Sequence, residues 1–410
     1  VVESSSGRQL DDDSEAVYCL AWSRLPEFGP RTLEKLLARP ETLAELWQAQ
    51  PAYLRETVGL SDKLIEAWQF GRKAMEPERL AAAYRETGIH LVGRWSTSYP
   101  PLLRESGLGP PLLFVRGNLA VLQRSGPALA VVGTRNATDY GRRAVRFLLN
   151  GLLPAQPCIV SGLAAGIDCC AHQVALSLGL PTVAVFGTGI DRVFPRSNVR
   201  LADDILASGG ACISEYGFGV PGGKHTFPER NRIIAGLSHG SLMVEGEARS
   251  GAMITARYAL EANRTVFAIP GDIFVPNSEG PLRLIQQGAV PVLSARDIAE
   301  DLGWPYSDDT DSAEAAKTHN VDGAAKTPSP IPVLVAPDVT PELEREPQDE
   351  VLKQVYHCLP ASSEPVTMDS LQQACGLPVA ELSHRLTILE LEGWVVLLPG
   401  ARVQRAISSV

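Results

Sequence analysis

From Leu129 onward, short apolar runs alternate with helical stretches, and this alternation restricts the fold more than any single motif does. The runs are Leu129–Val132, Cys158–Val160, Thr182–Phe186, Ala211–Ser214, Ser241–Glu245, Thr265–Ile269 and Val290–Leu293. Between them the pattern predicts helices over about 140–153, 167–179, 198–208, 231–238, 252–263 and 281–287. Runs that are apolar throughout, separated by helices, imply a parallel sheet covered on both faces. Ligands of such a sheet bind at the carboxyl ends of its strands. Those ends are the loops that start at Gly133, Ser161, Gly187, Glu215, Glu245 and Pro270, and nearly all are rich in glycine and polar residues.

The flanks differ from this middle. A chain of 410 residues is too long for one ordinary core. Residues 1–14 are rich in serine and aspartate and read as disordered. Residues 15–85 read as a helical domain, in which Leu25-Pro26-Glu27-Phe28-Gly29-Pro30 is a tight turn before a helix with Pro30 near its start. That turn fits either a phosphate-binding hairpin or an ordinary packing unit. Residues 86–304 form the α/β domain, with a candidate edge strand at His90-Leu91-Val92. Residues 305–346 read as a flexible acidic linker. Residues 347–410 show three helical patterns and then a hairpin, the winged-helix order. The candidate third helix carries Glu381, Glu390 and Glu392. This argues for a protein partner, or for non-specific duplex contact by the wing, rather than for sequence reading.

Charge gives a similar division. The net charge of −10 speaks against nucleic acid at first sight. Residues 1–15 hold five acids against one arginine, and residues 305–350 hold eleven acids against three bases. Residues 131–235 carry ten basic and seven acidic side chains, so the middle is mildly basic and admits a local phosphate-binding groove. The seven cysteines form no CxxC pair, which fits free thiols in a reducing cytoplasm. No apolar run is long enough to span a membrane. The beginning of the chain does not read as a signal peptide.

The loops hold the candidate chemistry. Gly133-Thr134-Arg135 ends the first strand without a dinucleotide fingerprint. Arg135 serves either an anion or a salt bridge to Glu215 or Glu245. Ser161-Gly162 opens a loop of small residues that lets a ligand approach the backbone. Asp168 and His172 lie four residues apart on the following helix, where a cap and a local hydrogen bond are favoured over metal ligation. Gly223-Lys224 lacks Walker spacing, so ATP hydrolysis is not supported. The stretch Phe227-Pro228-Glu229-Arg230-Asn231-Arg232-Ile233-Ile234-Ala235 reads as a stiff loop entering a helix. Its aromatic and arginines suit a surface that tracks a backbone and stacks on bases. Asn231 braces the loop, and Ile233 and Ile234 belong to the core. A second possibility is nucleotide hydrolysis using Glu245, Glu215, Asp168 and His172.

Taken together, the loops resemble one family. Val132-Gly133-Thr134-Arg135, Tyr140-Gly141, Ser161 to Asp168, Ala171-His172, Gly187 to Asp191, Phe194-Pro195-x-x-Asn198, Ser214-Glu215-Tyr216, Phe227-Pro228-x-Arg230-Asn231-Arg232-Ile233-Ile234, Val244-Glu245, Ser250-Gly251-x-x-Ile254-Thr255-Ala256 and Pro270-Gly271 are similar, in order and spacing, to DNA-processing protein A, the DprA/Smf family. Two departures are Gly246, where that family usually has alanine, and Phe194, where tyrosine is commoner. The resemblance implies an extended Rossmann-like fold flanked by a helical SAM-like or helix-hairpin-helix-like domain and a winged helix. It implies a homodimer, with no catalytic activity and no cofactor or metal, that binds single-stranded DNA. It further implies a role in natural transformation, protecting incoming strands and helping to load RecA past the single-strand-binding protein. By motif position it assigns DNA contact to Gly133, Thr134, Arg135, Ser161, Gly162, Lys224, Phe227, Arg230, Asn231 and Arg232.

Overall fold

A computed structural model describes residues 12–307, 350–360 and 366–378, together with 381–382, 385–386, 389, 394–398 and 402–405. These fall into two compact units, one on each side of the boundary between 321 and 322. Most of the linker expected at 305–346, and most of the helix expected at 379–391, lie outside the described residues.

The first unit is built on a nine-stranded sheet. Its strands are β1 (Ile89–Gly93), β2 (Leu112–Gly117), β3 (Ala128–Val132), β4 (Cys158–Ser161), β5 (Thr182–Phe186), β6 (Ala211–Ser214), β7 (Gly240–Met243), β8 (Thr265–Ala268) and β9 (Val290–Pro291). Their order is β1-β2-β6-β5-β4-β3-β7-β8-β9. From β6 to β9 every pairing is parallel, as the apolar runs require. The first two strands run antiparallel at the β6 end. The sequence pattern marks β1 as an edge strand but does not mark β2. The prolines at 110 and 111 hide β2 by placing a breaker just before its first residue.

Residue alternation along β3 explains why both faces are covered. Leu129 and Val131 point into one core with Val145, Leu148, Leu149 and Ile159. Ala130 and Val132 point into the other, with Val160, Val183, Val185, Ile233 and Ile234. Helices α8 (Asp139–Gly151) and α9 (Ile167–Ser177) supply the first face. Helices α11 (Thr226–Gly236) and α12 (Gly251–Glu261) supply the second, joined by the short α7 (Pro101–Glu105), while α10 (Val199–Ala207) packs its Leu201, Ala202 and Ile205 into a third cluster.

Helix α11 corrects a sequence expectation. The pre-proline bias predicts an extended Phe227, with the helix beginning near 231. The helix in fact starts at Thr226, so Phe227 and Pro228 sit in its first turn. Pro228 is tolerated there because its missing N–H would have no helical acceptor anyway. The Phe227 ring is held in a slot between Gly187 and Gly222, where an added Cβ on either glycine would come within 2.5 Å of the ring. This packing outweighs the local bias.

Six helices precede the sheet: Asp12–Ser23 (α1), Pro30–Leu37 (α2), Leu43–Gln48 (α3), Pro51–Glu56 (α4), Asp62–Ala74 (α5) and Pro77–Glu86 (α6). The segment read as disordered through residue 14 is therefore helical from Asp12. Pro30 opens α2, as expected. A capping box between Thr42 and Glu45 starts α3. Trp22 packs on both Trp47 and Trp68, and all three are buried within this bundle. Their cluster continues without a break into Phe114, Ala184, Phe186 and Cys212 of the sheet, so helices and sheet share one core.

The second unit contains helices Glu350–His357 and Met368–Cys375 and a three-stranded sheet of β10 (Val366–Thr367), β11 (Val395–Leu398) and β12 (Arg402–Arg405), in the order β10-β12-β11. Val355, Leu371, Leu382, Leu386 and Val403 form its core.

Because the first unit has a shared core, Trp22→Ala should cost about 3–5 kcal/mol and unfold helices and sheet together. Urea titrations followed by far-UV circular dichroism and by tryptophan fluorescence should shift by the same amount. Separate transitions would show that the bundle folds independently of the sheet.

Candidate nucleic-acid interface

The loops at the carboxyl ends of the strands converge, and hydrogen bonds knit them together. The order of strands reverses between β3 and β7. There the Thr134 N–H donates to the Glu245 carbonyl at 2.7 Å, joining the loops after both strands. The Thr134 carbonyl accepts from the Ile167 N–H at 3.1 Å. Gly133 leaves no space for a side chain, since a Cβ would lie 2.6 Å from Ile167. Glu245 is buried and accepts from the Thr138 N–H at 3.0 Å and from the Thr138 hydroxyl. It thereby fixes the start of α8.

Several residues expected at the surface lie beneath it. Arg230 is 5% exposed. Its Nη1 donates to the Gly162 carbonyl at 2.7 Å and to the Val185 carbonyl, and its Nε donates to Asn231 Oδ1 at 3.1 Å. Asn231 Nδ2 in turn donates to the Gly251 carbonyl at 3.0 Å, so buried Asn231 fits the bracing role rather than the DNA contact that motif position assigns to it. Arg232 is engaged by Glu215 and the Leu108 carbonyl. Neither arginine offers a free guanidinium to solvent, which corrects the expectation that one of them faces phosphate. The cause is the helix itself: with Phe227 in the first turn, positions 230, 233 and 234 turn inward. Ser161 is also buried, and its hydroxyl donates to the Val131 carbonyl at 2.6 Å. The Gly162 N–H donates to Asp168 Oδ2 at 3.1 Å.

Asp168 and His172 do not act as a pair. Asp168 closes the 162–168 loop, while His172 Nδ1 bonds the Thr182 hydroxyl at 2.7 Å. Burial pushes the Asp168 carboxyl up to about 6, opposed by the Arg230 charge and by the N–H groups of Ala164, Gly162 and Gly133. Burial, assisted by Arg230, pushes His172 down to about 3 and keeps it neutral. Among the described residues no cluster of side chains suits a metal ion.

What remains exposed forms a rim. Arg135 makes no salt bridge to Glu215 or Glu245. Its guanidinium instead lies over the Phe227 ring, 5.8 Å from the centroid. Phe227 packs against Phe194, with centroids 5.2 Å apart and planes tilted by 40°. Phe194 is 39% exposed, whereas Phe227 is half-buried, so the solvent-facing aromatic is Phe194. Lys224, three residues before Phe227, is exposed, as is Arg196, two residues after Phe194. Neither cation has a hydrogen-bond or ion-pair partner among the described residues. The turn that holds Phe194 and Arg196 is anchored by buried Asn198, whose Nδ2 donates to the Leu163 carbonyl at 2.9 Å. The sequence motif Phe194-Pro195-x-x-Asn198 signals this turn, but spacing alone does not show that Phe194 packs against Phe227.

Sequence comparison places the chain in a family. Residues 90–303 match the family described as DNA recombination-mediator protein A, and residues 339–401 match the DprA winged helix domain. The chain belongs to the DNA recombination-mediator protein A family. Protein Smf of Synechocystis is 35% identical over 397 residues, covering 96% of this chain and 99% of the relative. DNA processing protein DprA of Bacillus subtilis is 37% identical, covering 70% of this chain and 96% of that protein. The X-ray structure of DprA from Streptococcus pneumoniae superposes with a TM-score of 0.60 at 34% identity, over 70% of this chain and 97% of that one. The Rossmann-like sheet of this DprA-family chain and the winged-helix assignment of its C-terminal unit are thus shared with known members. Among the described residues no helix is long and apolar enough to cross a membrane.

The buried carboxyl gives a pH signature. Because burial raises the folded-state value of Asp168 above its ordinary 3.8, the folded chain holds that proton more tightly than the unfolded chain. Its contribution to stability is full below that ordinary value and falls as pH rises through about 6. Buried His172, held neutral, contributes in the opposite sense over the same window, so denaturant titrations should show that stability falls less, or rises more, with pH in Asp168→Asn than in wild type. Equal slopes in the two proteins would show that Asp168 does not titrate there.

Proposed function

We propose that this chain is a single-stranded DNA-binding recombination mediator without catalytic turnover. It covers incoming single strands during natural transformation, helps load RecA past the single-strand-binding protein, and works as a homodimer. The observation that carries the reading is the rim itself. Arg135 lies over one of a pair of packed aromatic rings at the carboxyl ends of a parallel sheet, and the exposed cations Arg196 and Lys224 stand two and three residues from those rings along the chain. Cations without partners track a phosphate backbone, and a solvent-facing ring takes a base regardless of sequence. Phe194 is the stacking platform in this arrangement, and Phe227 supports it from below while holding Arg135. Membership of a family of recombination mediators supports the same reading, as do the names of the relatives, which are DNA processing proteins.

Hydrolysis finds less support. Glu245 is engaged by Thr138, Glu215 by Arg232, and Asp168 by the Gly162 N–H. Each of these carboxylates holds a loop, and none stands free beside the exposed rim.

Fluorescence anisotropy with labelled single-stranded and duplex DNA tests the reading. Wild type should prefer the single strand. Arg135→Ala, Arg196→Ala and Lys224→Ala should each weaken binding and lower the slope of log affinity against log salt by about 0.7 per lost contact. Phe194→Ala should cost about 1–3 kcal/mol of binding with the melting temperature unchanged, whereas Phe227→Ala should lower both. Unchanged binding in all three cation variants would remove the rim as the site. Nucleotide turnover that Glu245→Gln abolishes would replace this reading with the hydrolytic one.

A further inference from the structure

The chain between β6 and α11 brings Lys224 to the rim, and it contains Gly217, Gly219, Gly222 and Gly223. A segment this rich in glycine would sample many paths if left free. It is held at Phe218, and the holder lies in the helical segment far away in sequence. The Phe218 ring stacks on Tyr84 of α6, with centroids 3.8 Å apart and planes within 11°. The Phe218 N–H donates to the Tyr84 hydroxyl at 2.8 Å. The Phe218 carbonyl accepts from Arg24 Nη1, just beyond the end of α1, at 3.2 Å. Gly217 lies so close to the Tyr84 hydroxyl that a Cβ there would approach it to 2.5 Å.

Tyr84 cannot yield easily. It is 1% exposed, and Phe114 of β2 packs on it with a centroid distance of 5.2 Å. The sheet side completes the grip. The Gly219 N–H donates to both carboxylate oxygens of Asp191, at 3.0 and 3.2 Å, and the Gly189 N–H donates to the Val220 carbonyl at 2.8 Å. At its far end the loop meets α11, where the Gly223 N–H donates to the Thr226 hydroxyl at 2.9 Å and Gly222 packs on Phe227. A contact at Tyr84 is therefore relayed along six residues to Lys224.

We propose that the helical segment is a positioning element for strand binding: Tyr84 and Arg24 fix Phe218, and so fix the path that presents Lys224 beside Phe227. Tyr84 and Arg24 are positioning residues that need not touch DNA. The inference rests on the reading above that Lys224 contacts the strand. It assigns the helical segment a part in binding that its shared core with the sheet does not by itself require.

Two variants separate positioning from bulk stability. Tyr84→Phe keeps the stacked ring and removes only the hydroxyl. Arg24→Ala removes a surface side chain. In the DNA-free protein, amide exchange over Phe218–Lys224 should quicken in both, with the melting temperature of Arg24→Ala unchanged. Single-strand affinity should fall about fivefold, the size expected for one hydrogen bond. That fall should persist in an Arg135→Ala background and vanish in a Lys224→Ala background, because only the second shares the pathway. A purely structural role would weaken both backgrounds alike. Unchanged loop exchange in both variants, or equal losses in the two backgrounds, would overturn the inference. If Lys224→Ala itself leaves affinity intact while loop exchange quickens, the strand-contact reading of Lys224 has failed, and positioning for DNA falls with it.

Discussion

A guanidinium taken out of water sets the geometry of the strand ends. Arg230 is buried, and its donors meet the carbonyls of Gly162 after β4 and Val185 in β5. Burial lowers its proton affinity to about 10, with Asp168 opposing that shift, so the group stays charged at neutral pH. A buried charge is tolerated only where hydrogen bonds replace its hydration. Those bonds tie α11 to two neighbouring strands, and through Gly162 to the loop that Asp168 closes. Helix start, loop and strand ends therefore move as one body.

The rim follows from that anchoring. With Arg230 turned inward, the first turn of α11 delivers Phe227 to the slot between Gly187 and Gly222. Phe227 then carries Arg135 on its face and Phe194 at its side. The deeper charges are paired: Arg232 with Glu215, and Glu245 with the cap of α8. Near the rim, exposed Lys224 and Arg196 have no hydrogen-bond or ion-pair partner among the described residues. Inner charges hold the loops, and the proposed strand contacts fall to the outer ones. Tyr84 carries contacts across the shared core, since its ring and hydroxyl meet Phe218 of the glycine-rich loop before α11.

Much of this is legible in the sequence. Uniformly apolar runs give the parallel sheet, because both of its faces are covered. The glycine-rich loops point to the candidate site, because ligands of such a sheet bind at the carboxyl ends of its strands. Motif order gives the family. Three things are hidden, each for a physical reason. Strand β2 is masked by the prolines before it, and its partner β6 is about a hundred residues away. The inward turn of Arg230 depends on where α11 begins, and local propensity places that start too late because one wall of the Phe227 slot is Gly187, about forty residues earlier in the chain. The role of Phe194 depends on a ring contact across 33 residues of chain that no spacing rule encodes.

The central claim is that a single strand lies across the Phe194, Phe227 and Arg135 rim. Photo-crosslinking with 5-iodouracil-substituted single-stranded DNA, followed by peptide mapping, tests it most directly. The account predicts crosslinks at Phe194, with weaker ones at Phe227, and their loss when unlabelled single strand competes. Efficient crosslinks confined to the winged-helix unit or to the helical segment, with none at the rim, would contradict it.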